Sequence, residues 1–105
     1  MQPVTRIEFI SDAVEMHKIL DSLDRVGVSN YTVLPNVLGK SRQGEVFDDM
    51  AVTGLGGQVY IISYCLPEQV KTVVEEIRPI LNKFGGSCYI CDAMEVRSVK
   101  CISSL

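Results

Sequence analysis

Two short runs in this sequence could hold an anion. The first, Gly39-Lys40-Ser41-Arg42-Gln43-Gly44, joins glycines that allow close backbone approach to an ammonium, a hydroxyl and a guanidinium. Backbone nests edged by such side chains suit phosphate groups, and the planar guanidinium fork suits them best. The second is the Gly85-Gly86-Ser87 turn, with Arg97 and Lys100 further along the chain.

The rest of the reactive inventory is poorer. Cys88-Tyr-Ile-Cys91 has the spacing of redox and metal motifs. It falls in a predicted strand, where residues three apart point to opposite faces. A low-pKa redox thiol needs a helix N-terminus or a cation, and a zinc site needs four convergent ligands. The cysteines therefore read as buried structural thiols, with Cys101 in the tail the one to watch for redox behaviour. His17 has no second histidine to join it, and the carboxylate pairs Asp48-Asp49 and Glu75-Glu76 read as solvating charges. No phosphate-binding P-loop and no GxGxxG after a strand is present. This inventory builds a binding protein more readily than an enzyme; no catalytic and no metal-ligating residue is assigned.

The elements that must position the two anion-binding runs follow from hydrophobic periodicity. Val4 to Ile10 alternates, with Thr5, Ile7 and Phe9 on one face, and reads as a strand. Asp12 with Glu15 resembles a capping box ahead of a helix whose apolar stripe is Ala13, Met16, Ile19, Leu20, Leu23 and Val26. Gly27 supplies its C-terminal cap. A second strand spans about Ser29 to Leu34, closed by Pro35. The third, Gln58 to Cys65, is apolar on both faces, as expected for a central strand or one covered by another subunit. Pro67 opens a second helix with the stripe Val70, Val73, Val74, Ile77, Leu81 and Phe84, inside which Pro79 should kink or unwind the turn. Ser87 to Met94 is the fourth strand.

Between strands two and three lies Asn36 to Gly57, without periodicity and with five of the eight glycines. A connection of about 20 residues in a compact domain usually serves function or is disordered. The order β-α-β-(long loop)-β-α-β predicts an α+β, ferredoxin-like βαββαβ domain over residues 1–105, with both helices on one face of an antiparallel sheet. The other face needs a cover. The 47% hydrophobic content and mean hydropathy of +0.20 point to a subunit interface there. In such an oligomer the second-helix turn and the base of the long loop could face each other across adjacent subunits. A net charge of −3 argues against nucleic acid as a main partner. No apolar run reaches membrane-spanning length and no signal-peptide core is evident, so a cytoplasmic location is expected.

Several of these segments carry a family resemblance. The strand-helix-strand Thr5 to Val33, with its end Asn30-Tyr31-Thr32-Val33, keeps the spacing of PII-like signalling proteins, and Gly39-Lys40-Ser41-Arg42 and Tyr89-Ile90-Cys91-Asp92-Ala93 resemble further motifs of that family. They are most similar to the branch associated with carboxysomes and with bicarbonate transport. The resemblance implies a non-enzymatic homotrimer with its sheets turned inward. It would bind adenine nucleotide in clefts between subunits together with bicarbonate, and would need no further cofactor. Its large T-loop, here Asn36 to Gly57, would act on a bicarbonate transporter or a carboxysome-linked protein. Carried over by position, Thr32 and Val33 lie along adenine and ribose. Gly39, Lys40, Ser41 and Arg42 hold the nucleotide from the loop base, Gly85, Gly86 and Ser87 form the opposing short loop, and Arg97 faces phosphate. Ser87 stands where classical PII proteins have a lysine, so ATP's γ-phosphate would be held poorly and ADP or AMP are favoured; the T-loop has Phe47 but no tyrosine, so uridylylation control is not expected. The alternative on the same fold is a trimeric metal-responsive protein of the divalent-cation-tolerance type. An amino-acid-binding domain of the ACT kind would not need so long a loop, and an acyl-phosphate hydrolase would need an arginine cradle after strand one that Ser11-Asp12-Ala13 does not offer.

Overall fold

The structure, a computed structural model, describes residues 1–28, 30–37, 39–40, 46–47 and 57–97. In chain order the elements are β1 (Gln2–Asp12), α1 (Met16–Arg25), β2 (Tyr31–Val37), β3 (Gly39–Lys40), β4 (Val46–Phe47), β5 (Gln58–Cys65), α2 (Val70–Phe84) and β6 (Ser87–Glu95). The four long strands form one sheet in the order β2-β5-β1-β6, with every pairing antiparallel. This is the α+β, ferredoxin-like arrangement that periodicity predicts, with β5 and β1 at its centre.

Register explains which side chains become core. Phe9 lies opposite Ile61 and Ile7 opposite Ser63, so the odd-numbered residues of β1 and β5 share the face beneath the helices. Ile7, Phe9 and Ile61 are fully buried there against Ile19 and Leu23 of α1 and Val73 and Ile77 of α2. Each such burial contributes about 1.5–3 kcal/mol. Arg25 of α1 reaches Glu76 of α2 at 3.4 Å, an exposed pair that adds little beside that packing.

Local chemistry sets the ends of the elements. Val28 N–H donates to the Leu23 carbonyl and Gly27 N–H to that of Asp24, the paired bonds of a Schellman motif. Gly27 takes φ +84° to make them, while Val28 folds back onto Leu23 and both are buried. Asn30 then stitches the entry of β2 to the exit of β5. Its side-chain amide donates to the Tyr64 carbonyl, its side-chain oxygen accepts from the Tyr64 N–H, and its own carbonyl accepts from the Ser63 hydroxyl.

Four local expectations need correction. The first strand continues to Asp12, and the Asp12 side chain makes no capping bond, since its carboxylate accepts from Gln58 instead. Pro35 does not close β2. The strand bulges between Leu34 and Val37, with Asn36 at φ +59°, and pairs again at Val37 opposite Gln58. An edge strand tolerates proline there because no ladder bond has to be donated on its open side. Pro79 lies on the exposed side of α2, which runs unbroken through it. Cys91 is exposed, not buried, whereas Cys65 is buried and Cys88 half-buried.

Candidate functional site

The antiparallel topology brings four chain segments to one end of the sheet. β1 ends there at Asp12, β5 begins there at Gln58, β2 leaves for the long loop at Val37, and β6 begins there at Ser87 opposite Ile10. The Gly85-Gly86 turn thus lies at the same end of the sheet as both roots of the long loop, with β1 between it and the Gln58 root and β1 and β5 between it and the Val37 root.

The contacts at this end are close. Gly86 has φ +108°, and a β-carbon there would sit 2.8 Å from the Ile10 carbonyl oxygen. Only glycine allows the turn to lie on β1 in this way. On the other side of β1, Ala13 N–H donates to the Gly57 carbonyl at 3.0 Å, and the Gln58 amide donates to the Asp12 carboxylate. The helix layer brings positive charge to the same end. Lys18 near the start of α1 and Lys83 in the last turn of α2 lie 4.0 Å and 5.3 Å from the centre of the Phe84 ring, just before the glycine turn. Lys83 also favours the negative end of the α2 dipole.

Not every candidate residue joins this constellation. Thr32 is exposed on the helix-free face opposite Ile62, and Val33, opposite Ile61, packs against the core. Gly39 and Lys40 pair with Phe47 and Val46 in a two-residue ladder outside the main sheet. Ser41, Arg42, Gln43, Gly44, Asp48, Asp49, Lys100 and Cys101 lie outside the described residues. Arg97 follows β6 at the far end of the sheet. Ser87 to Glu95 alone spans about 27 Å at roughly 3.4 Å per residue, so Arg97 cannot reach its own chain's glycine turn. It pairs locally with Glu95.

The helix-free face has chemistry of its own. Arg6 Nε lies 2.7 Å from a Glu8 oxygen, an ion pair without hydrogen-bond alignment, and the Tyr60 hydroxyl donates to the other Glu8 oxygen. Burial is the largest single influence and opposes the Arg6 charge, but Glu8, Tyr60 and Tyr64 together outweigh it and the guanidinium pKa stands above its ordinary value. Donation to Glu8, then burial, raises the Tyr60 phenol pKa. Cys91 shares this face, opposite Arg6, while Cys88 faces the helices opposite Phe9, where burial pushes its thiol up to about 11. The two thiols of the CxxC run thus lie on opposite sides of the sheet and cannot share a metal or form a bridge. Among the described residues, no three His, Cys, Asp or Glu side chains gather around a metal-sized site.

Comparison with known proteins decides the family. The family model of nitrogen regulatory protein P-II matches residues 4–101. The chain belongs to the P-II family. Among solved structures it is similar to CPII of Thiomonas intermedia, a nitrogen regulatory PII-like protein, in a complex with ADP, AMP and bicarbonate. The TM-score is 0.78 at 25% identity, covering 87% of this chain and 86% of that one. A CPII complex with ADP, AMP and acetate matches at TM-score 0.76 and 26% identity, over 94% of each chain. A PII-like signalling protein of Thermus thermophilus shares the fold at TM-score 0.71, with 11% identity over 88% of each chain. No match among curated proteins reaches significance.

The Asp12–Gln58 contact at the base of the long loop was missed, as was the bulge at Asn36, which the sequence marks only as the first residue of that loop. Asp12 offered a competing helix-cap reading, Gln58 is an ordinary first residue of a strand, and only the Pro-Asn pair at 35–36 hinted at a bulge. Among the described residues, no helix is long and apolar enough to cross a membrane.

Proposed function

We propose that this P-II family chain is a cytoplasmic, non-enzymatic sensor that binds ADP or AMP together with bicarbonate in clefts between the subunits of a homotrimer. One observation carries the reading: the similar CPII structures hold ADP, AMP and bicarbonate. Two features of this chain support it. The glycine turn and the roots of the long loop share one end of the sheet, the placement a phosphate-bearing ligand between them needs. The far position of Arg97 fits a cleft completed by a neighbour, because an arginine at the opposite end of the sheet can meet the glycine turn only from another copy.

In this reading Thr32 and Val33 run along the nucleoside, and Gly39, Lys40, Ser41 and Arg42 hold the phosphates from the loop base. Gly85, Gly86 and Ser87 close the cleft, and Arg97 of the adjacent copy faces phosphate. Bicarbonate acts as a second ligand, so each ligand tightens the other by the same factor. Ligand binding changes the long loop, and the loop alters affinity for a partner controlling inorganic-carbon uptake, such as a bicarbonate transporter or a carboxysome-linked protein. The ligand's differential affinity for the two loop states sets the size of that response.

Isothermal calorimetry with ADP, AMP and ATP, each with and without bicarbonate, tests the proposal. The expected result is one site per chain, tightened by bicarbonate and weakened at least tenfold in Arg42→Ala, about 1.4 kcal/mol. A folded trimer giving no heat with any adenine nucleotide overturns it.

A further inference from the structure

We infer that the end of β1 and the residue after it, Ile10 to Ala13, couple the glycine turn to the root of the long loop, with Asp12 as the positioning residue that holds Gln58. Three contacts lie side by side along this segment. Gly86 rests against the Ile10 carbonyl so closely that a single β-carbon would collide with it. Two residues on, the Asp12 carboxylate accepts from the Gln58 side chain, and the next residue, Ala13, donates its N–H to Gly57. Gly57 and Gln58 are where the chain returns from the long loop, and Gln58 also pairs with Val37, where the chain departs. The returning root and the short turn therefore bear on four consecutive residues at and just past the end of β1, and the departing root reaches them through Gln58.

The order β5-β1-β6 makes β1 the bridge between them. A displacement of the glycine turn presses on the Ile10 carbonyl, and the ladder passes it to Asp12 and Ala13, which hold Gln58 and Gly57. Coupling is reciprocal, so releasing Gln58 must alter the glycine turn. The regulatory meaning rests on the nucleotide cleft proposed above, since ligand at Gly85 to Ser87 would then bias the loop through this strand end. The mechanical coupling belongs to the ligand-free protein and is tested there.

The test is amide NMR of the full chain, comparing wild type with Gln58→Ala and Asp12→Asn. Gln58 lies on β5, the far side of β1 from the glycine turn, so its variant reports transmission across the strand, not a neighbour effect. The expected result is Ala13 amide exchange faster by about tenfold in both variants, together with shifted Gly85, Gly86 and Ser87 resonances. Unmoved Gly85 to Ser87 resonances in Gln58→Ala overturn the inference, as does unchanged Ala13 exchange in both variants. Titrating ADP into wild type and both variants separates the two proposals. If wild type does not bind ADP, the nucleotide reading fails while the ligand-free spectra still decide the coupling. If wild type binds and slows Ala13 exchange while Gln58→Ala binds without slowing it, ligand and loop communicate through this contact.

Discussion

The two faces of the sheet are built on opposite principles. Beneath the helices the side chains at the centre are dry and mostly apolar, with Ile7, Phe9 and Ile61 fully buried beside the hydroxyl of Ser63. On the other face the same two strands present Arg6, Glu8, Tyr60 and Tyr64, with Leu34 and Tyr89 exposed on the flanking strands. A lone chain gains its stability from the first face. The second pairs its charges among themselves while leaving apolar area in water, as expected of a surface that meets other copies. One alternating strand can serve both purposes because its two faces are chemically independent.

The sharpest way to break this contrast is Phe9→Ala. Emptying the dry face should cost about 3–5 kcal/mol. Thermal unfolding of the variant is expected to begin well below wild type, and a loss below about 1 kcal/mol would mean that the core is not centred there.

Glu8→Ala tests the other face. It removes the acceptor of the Tyr60 hydroxyl and the partner of Arg6 on a half-exposed surface, which should cost about 1–2 kcal/mol. The expected loss falls on assembly more than on the fold, so sedimentation should show dissociation at concentrations where wild type stays trimeric, with the far-ultraviolet spectrum unchanged. An intact trimer in this variant would assign the polar cluster to the single chain.

The smallest effect is a pH dependence. The Tyr60 phenol has its pKa raised in the folded protein, so folding favours its protonated form. Its contribution is therefore fully present below the unfolded tyrosine value of about 10 and is lost as pH climbs through the folded value. Denaturant unfolding is expected to show wild type losing more stability than Tyr60→Phe between pH 9 and about 11. Parallel curves would remove the Tyr60–Glu8 bond from the account of this face.

Much of this was legible before any coordinates because it depends on near neighbours along the chain. Alternation in VTRIEFI placed Ile7 and Phe9 together, and the same period put Cys88 and Cys91 on opposite faces. Spacing marked Ile19, Leu23, Val73 and Ile77 for the core, and Gly27 for the end of α1. The Gly85-Gly86 turn after α2 was also legible, but its surroundings were not. The Asp12 carboxylate had two possible partners, a helix N-terminus next to it or an amide 46 residues away, and only folding chose the second.

Local periodicity thus determined the elements, their buried stripes and the fold class, since a side chain's direction follows from its own backbone. Tertiary structure decided what distant segments do to one another. It set the bulge at Asn36, placed the glycine turn on β1 at the same end of the sheet as the loop roots, and put Arg97 at the other end of the sheet. Those outcomes depend on strand order and register, which arise from the packing of the whole chain and have no period for a single segment to display.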